Sequence, residues 1–232
     1  MLTRRLLLSL LPLFCRTEFV VRVNTFRRPN QLIQFLEHYS DCPDVTGITV
    51  VWSDLDNSPP ALPVYKVNVS YEVHSTNSLN NRFRNLSTVS TEAVLSIDDD
   101  VIVTCKSLSF AHSVWQTSRR VLVGFSPRLH GYDPETGASR YFRWQHTWWN
   151  GYCTATISSC HTSPLLTLNS RLYSIVLTKA CFLHRDYLTA FQQRVPTTVL
   201  EEIDRQRNGE DIAMAHVVAR LSRAPPVWVK VI

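Results

Sequence analysis

The densest chemistry in the chain sits in AVLSIDDD, residues 93 to 100, where a largely apolar run meets Asp98, Asp99 and Asp100. Three adjacent carboxylates repel one another, and desolvating any of them is costly unless a cation or dense hydrogen bonding compensates. A positive partner is therefore expected there. Carboxylates at a strand end can hold Mg²⁺ or Mn²⁺, ions that bind through one or two protein carboxylates plus substrate phosphates. A neighbouring carboxylate can accept hydrogen bonds from a ribose or sugar hydroxyl. The plainer alternative is a solvated acidic turn capping a helix that begins near Ser107.

Two further groups carry usable chemistry. HSTNSLNNRFRN, 74 to 85, supplies Asn77, Asn80, Asn81, Arg82 and Arg84 just before the acidic strand. Amides can pair with a nucleobase edge and guanidinium groups with carboxylate or phosphate, although a polar loop leading into a helix would use the same residue types. Glu210 and Asp211 open NGEDIAMAHVVARL. They can complement a helix dipole, or form the second acidic site that a transferase needs to face a developing oxocarbenium ion or to act as nucleophile or base. His146, His161, Cys153 and Cys160 match no zinc spacing, so surface or disulfide roles are expected for them. Trp144, Trp148 and Trp149 suit either a sugar platform or a core.

The elements around these groups alternate. FVVRVNTF (19 to 26) reads as a strand; Pro29 then opens a helix whose Leu32, Phe35, Leu36 and Tyr39 share one face; and GITVVWSD (47 to 54) is a second buried strand. This is a β-α-β unit, for which the right-handed crossover rule gives parallel pairing. YKVNVSYEV, AVLSIDDD and VLVGFSP read as further strands, SLSFAHSVWQ as a helix, LYSIVLTKACFLHRDYLTAF as strand then helix, and TTVLEEIDRQRN as a polar helix. The last helix should turn Ile212, Ala215, Val218 and Ala219 or Leu221 inward, and APPVWVKVI should close the chain as a strand. The pattern predicts an α/β fold with helices covering an open sheet, whose ligands bind beyond the carboxyl ends of the strands. Three such ends are Asn24 with Arg27 and Arg28, Ser53 with Asp54, and Asp98 to Asp100.

The chain has 232 residues, 44% hydrophobic and 19% charged, which excludes a predominantly disordered or repeat protein. Its net charge of +5 favours anionic ligands, but Lys and Arg are scattered and no nucleic-acid motif is present, so no nucleic-acid partner is expected. Arg4 and Arg5 precede an apolar run, Leu6 to Phe14, that reads as a targeting segment or the remnant of an anchor over residues 1–18 and offers membrane association. Nine residues are too few to span a bilayer core, which takes about 20 in a helix. Six cysteines suit a few disulfides in an oxidising lumen, with no pairing assignable, and Asn68-Val-Ser70 and Asn85-Leu-Ser87 are sequons usable in that compartment.

VLSIDDDV, NSLNNRF, VGFSPRLH and NGEDIAMAHVVAR with PPVWVKV, in this order, resemble the C-terminal glycosyltransferase domain of the exostosin-like family, glycosyltransferase family 64. The likeness spans roughly residues 20 to 152 and 171 to 231 and is nearer to plant-type members. It implies one GT-A domain over 19–232, a Rossmann-like mixed and mostly parallel sheet flanked by helices. It also implies a retaining, metal-dependent transfer of a hexose or N-acetylhexosamine from a UDP- or GDP-sugar to a glycan or glycolipid. The cofactor would be Mn²⁺, with Mg²⁺ as substitute, and the setting the lumen of the Golgi or endoplasmic reticulum, with a homodimer an allowed state. Matched position by position, Asp98 and Asp99 are similar to carboxylates on donor ribose and sugar hydroxyls, and Asp100 to the metal ligand. Arg28, Asn77 and Arg82 resemble nucleotide contacts, and Asp211 the acidic residue beneath the anomeric carbon.

The chain departs from the family at several places. Ser53 stands where animal members often carry Asn. Residues 153–170 read as an insertion, and Gly209 replaces a frequent Cys, removing a family disulfide. Many members also continue past the position of Ile232 with a basic tail that holds the diphosphate. These departures make a catalytically inactive sugar-nucleotide-binding or scaffolding relative the alternative. A nucleotidyltransferase, the other sheet-based reading, would need a Gly-rich phosphate loop that TFRRPN lacks.

Overall fold

A computed structural model describes residues 18–84, 89–133, 138–142 and 173–231. Strand β1 (Phe19–Thr25) leads through helix α1 (Pro29–Ser40), with Pro29 in its first turn, to strand β2 (Val45–Trp52), which pairs parallel to β1. Proline suits that position because its ring presets the helical φ and the missing N–H would have had no partner within the helix. Strand β3 (Asn68–Val73) adds parallel to β2, and a single 3₁₀ turn (Leu79–Phe83) follows. Strand β4 (Ala93–Asp98) returns to pair parallel with the other side of β1, and its last residue, Asp98, stands beside Asn24. The carboxyl ends of β1 to β4 thus share one edge.

Helix α2 (Cys105–Thr117) is capped by Thr104, whose hydroxyl accepts the Ser107 N–H. The three aspartates are therefore not its cap. Strands β5 (Val123–Gly124), β6 (Pro127–Asp133), β7 (Ala138–Phe142), β8 (Ile175–Val176) and β9 (Ala180–His184) follow. Helices α3 (Asp186–Arg194), α4 (Thr197–Gln206) and α5 (Glu210–Ser222) and strand β10 (Val227–Trp228) complete the described chain. The main sheet has seven strands in the order β10-β5-β9-β4-β1-β2-β3, and β6 lies between β7 and β8 in a second, three-stranded sheet. Strand β9 runs antiparallel to both β4 and β5, so the expected mixed, mostly parallel sheet flanked by helices is what forms.

Period-two alternation divides the core. Phe19, Val21, Val23, Leu95, Ile97 and Phe182 face α1 and α2, packing with Phe35, Leu36, Leu108 and Trp115. Val94, Cys181 and Leu183 face the opposite layer with Leu188, Phe191, Met214 and Val218. Local expectations change in several places, the closing segment among them, since APPVWVKVI is strand only over Val227–Trp228. VLVGFSP is strand over only two residues, and a Cβ on Gly124 would lie 2.5 Å from both the Ala180 carbonyl and Cys181 Cβ, so glycine is what lets β5 approach β9. In α5 the buried residues are Glu210, Met214, Ala215, Val217 and Val218, Ile212 is half-buried, and Ala219 and Leu221 turn outward. That helix is apolar almost all round, so periodicity alone cannot set its rotation; packing on α3 and β8 does. The zinc-type residues, the tryptophan cluster, the 153–170 insertion and the N-terminal segment to residue 17 lie outside the described residues. Among the described residues no helix is long and apolar enough to cross a membrane.

Cys42, just past α1, is bonded to Cys105 at the start of α2, closing a loop of sequence separation 63 between the two helices that cover one sheet face. Chain-entropy arithmetic for such a loop gives about 4 kcal/mol. Replacing both cysteines by serine should lower the free energy of unfolding by about 2–4 kcal/mol, measured by urea denaturation. His112, 1% exposed and stacked on Trp115, has its pKa pushed by burial down to about 4. Between that value and the unfolded value of about 6.5 the unfolded chain binds more protons, so this histidine's contribution to stability falls as pH falls. Between pH 7 and 4.5 the wild type should lose about 2 kcal/mol more than His112→Phe, read from urea midpoints.

Candidate active site

The acidic strand end is held from both sides by arginines. Asp98 accepts from Arg82 Nη2, and Arg82 Nη1 donates to Glu210 Oε1 at 3.0 Å. Arg82 is only 4% exposed, and burial alone would discourage its charge, yet Asp98 and Glu210 outweigh burial and raise its pKa. Asp99 is also buried: Thr25 Oγ1 donates to its Oδ2 at 2.7 Å and Arg28 Nη1 to its Oδ1 at 3.1 Å. Burial nevertheless raises the Asp99 pKa against these two donors. Asp100 is different, with a side chain 51% exposed and Arg28 Nη1 at 3.5 Å. It is the carboxylate of the three most open to a hard cation, which would complete its shell with oxygens from water and phosphate.

Arg27 lies between Phe26 and Arg28 with φ of 56°, in the left-handed region that non-glycine residues seldom adopt. This sends neighbouring arginines to different loops. Arg28 reaches Asp99 and Asp100, while Arg27 pairs with Asp56 and approaches Asp54 Oδ1 at 3.5 Å. Asn57 and the Asp56 N–H also donate to Asp54, and Asn57 is the main cause of its lowered pKa. Trp52, Asp54, Asn57 and Pro60 line an open depression beside Arg27 and Pro29 at the ends of β1 and β2.

The amide-rich segment separates into distinct positions. Asn81 is fully buried, and its Nδ2 donates to Ser53 Oγ at 3.0 Å and the Thr76 carbonyl at 2.7 Å. Its Oδ1 and Arg82 Nε have no hydrogen-bond partner among the described residues. Asn80 donates to Asp204 and the Leu200 carbonyl of α4, and Asn77 Oδ1 accepts from Arg207 at 3.1 Å. Asn77 thus braces the end of α4, while Asn81 stands at the carboxyl end of β2.

Asp211 begins α5 beside Glu210, and its Oδ1 accepts the Ile212 N–H at 2.7 Å. Burial raises the pKa of both carboxylates, partly offset by Arg82, which acts on each of them. Gly209, preceding them at φ 101°, adopts a conformation that favours glycine, and the chain enters α5 directly into the acidic pair. Cys181 is a free, fully buried thiol, which burial pushes up to about 12. Arg82 therefore brings the β4 end and the α5 start together, joining Asp98 to Glu210 with Asp211 adjacent. Asn77 lies beyond that junction, at the α4 end.

The support beneath this junction is not apparent from the sequence motifs. Arg22 of β1 is 2% exposed and forms a bidentate pair with Glu72 of β3, both contacts at 2.6 Å. Its Nε donates to the Arg82 carbonyl at 2.8 Å and Nη2 to the Asn81 carbonyl at 3.3 Å. His74 Nε2 donates to Glu72 Oε1 at 2.7 Å, its pKa lowered mainly by burial. One buried arginine thus seats the peptide that carries both Asn81 and Arg82. The available signal was an arginine in the middle of an otherwise apolar strand, VVRVN, which demands a buried anion.

The protein belongs to the glycosyl transferase family 64 domain family, whose model matches residues 19–232. It is 31% identical to glycosylinositol phosphorylceramide mannosyl transferase 1 of Arabidopsis thaliana over 93% of this chain and 63% of that protein. It is 32% identical to the exostosin-like-3 homolog of Caenorhabditis elegans, over 91% of this chain and 23% of that one, and 29% identical to human exostosin-like 2, over 92% and 61%. The chain therefore spans between about a quarter and just under two thirds of these relatives.

Glu72→Gln removes the charge that balances Arg22 while keeping the side-chain shape. Because it leaves a buried cation without its counter-charge, the variant should lose about 3–5 kcal/mol of stability by urea unfolding.

Proposed function

We propose that this protein is a retaining, metal-dependent glycosyltransferase that moves a hexose or N-acetylhexosamine from a UDP- or GDP-sugar to a glycan or glycolipid. The observation that carries the reading is Arg82, which unites the acidic end of β4 with the carboxylates opening α5, beside the half-exposed Asp100. Donor phosphates would lie over Asp100 and Arg28. Mn²⁺, or Mg²⁺ in its place, would be held by Asp100 and would supply charge neutralisation of the departing diphosphate. Asp98 and Asp99 would accept from ribose or sugar hydroxyls, with the nucleotide bound near Arg28 and Asn81. Arg82 has its positioning role in the carboxylate cluster, and Asn77 supports the α4 end.

Asp211 would face the anomeric carbon. As its C–O bond to the diphosphate breaks, positive charge grows there, and an ionised Asp211 would stabilise that charge or attack it. A mannosyl transferase acting on glycosylinositol phosphorylceramide among the relatives favours a glycolipid acceptor. The Cys42–Cys105 bond favours the oxidising lumen of the secretory pathway, since such bonds are rare where thiols are kept reduced.

The test is a screen of UDP- and GDP-sugars with Mn²⁺, following nucleotide release and product anomer. Asp211→Asn should lower turnover by at least about 100-fold while donor binding survives. Because Asp211 must be ionised and burial raises its pKa, the acid limb of the rate profile should lie above the ordinary carboxylate range. Calorimetry on Asp100→Ala should show loss of the Mn²⁺-dependent part of nucleotide affinity. Binding without turnover for every donor would instead mark a sugar-nucleotide-binding relative.

A further inference from the structure

We propose that Asn68 carries an N-linked glycan that covers the open edge of the main sheet. Asn68-Val-Ser70 satisfies the acceptor pattern, with no proline between the two functional residues. Asn68 is exposed and is the first residue of β3, and β3 is the outermost strand of the seven-stranded sheet. Strand β2 pairs with one side of β3, and among the described residues no strand pairs with the other, whose backbone donors and acceptors could pair with another chain. A bulky hydrophilic group at this position opposes such pairing. Because β3 runs parallel to β2, β1 and β4, Asn68 lies at the edge of the sheet opposite Ser53, Asp98 and the other site residues. A glycan there leaves the site open.

The chemistry requires a lumenal oligosaccharide donor, a polyisoprenyl diphosphate-linked sugar. The Asn68 amide nitrogen bonds to the anomeric carbon, the carbon–oxygen bond to diphosphate breaks, the amide gives up one proton, and the lipid diphosphate leaves. The inference rests on the lumenal placement proposed above, which the Cys42–Cys105 bond supports. The other sequon, at Asn85, lies outside the described residues.

The full chain, expressed with its own N-terminus in cultured plant cells, should yield a residue 68 peptide that bears a glycan before amidase treatment and Asp at that position after it. Asn68→Gln and Ser70→Ala should each remove the mass of one oligosaccharide, leave nucleotide release from the donor unchanged, and increase aggregation of the purified chain. An unmodified Asn68 in a chain whose Cys42–Cys105 bond is formed overturns the glycan alone. An unmodified Asn68 with both thiols free overturns the lumenal placement as well.

Discussion

A buried cation between two acidic elements organises the site. Arg82 takes Asp98 from the end of β4 and Glu210 from the head of α5, two carboxylates that would otherwise repel each other across a desolvated gap. Removing such a cation would leave unpaired buried charge, which is far costlier than the pair itself is stabilising. Arg82 is in turn seated from below, because Arg22 donates to its carbonyl and to that of Asn81 while Glu72 balances the charge of Arg22. Two arginine–carboxylate units stacked in this way couple the sheet interior to the surface chemistry.

The arrangement also divides the three aspartates. Asp98 and Asp99 are held by protein donors, whereas Asp100 keeps half its surface open, so the same tripeptide offers two anchored carboxylates and one accessible one. The left-handed backbone at Arg27 matters here, since it lets consecutive arginines serve the Asp54–Asp56 loop and the aspartate cluster separately. Burial acts in the opposite direction on Asp99, Glu210 and Asp211, raising the pKa of each despite nearby guanidinium groups. A site that gathers carboxylates around one buried guanidinium is suited to facing a cationic transition state.

Much of this is legible in the amino-acid sequence. The strand ending in Asp98 to Asp100, the helix face of Leu32, Phe35, Leu36 and Tyr39, and the acidic opening of α5 follow from short-range patterns, where period and end residues speak for themselves. Local sequence also places Arg28 at the end of β1. It does not pair Cys42 with Cys105, distinguish Asn81 from Asn77, or rotate α5, since each depends on which surface meets which after folding.

That carboxylates, amides and guanidinium groups stand at strand and helix ends is written in the chain, because hydrophobic periodicity assigns those ends locally. Which charges share a partner is fixed by folding. Arg22 reaches Glu72 and Arg82 reaches Glu210 across sequence separations of 50 and 128 residues, and an ion pair depends on distance in space and on burial. Sequence composition registers neither. Arg82 answers Asp98 and Arg28 answers Asp99 while also approaching Asp100, which keeps its exposed face.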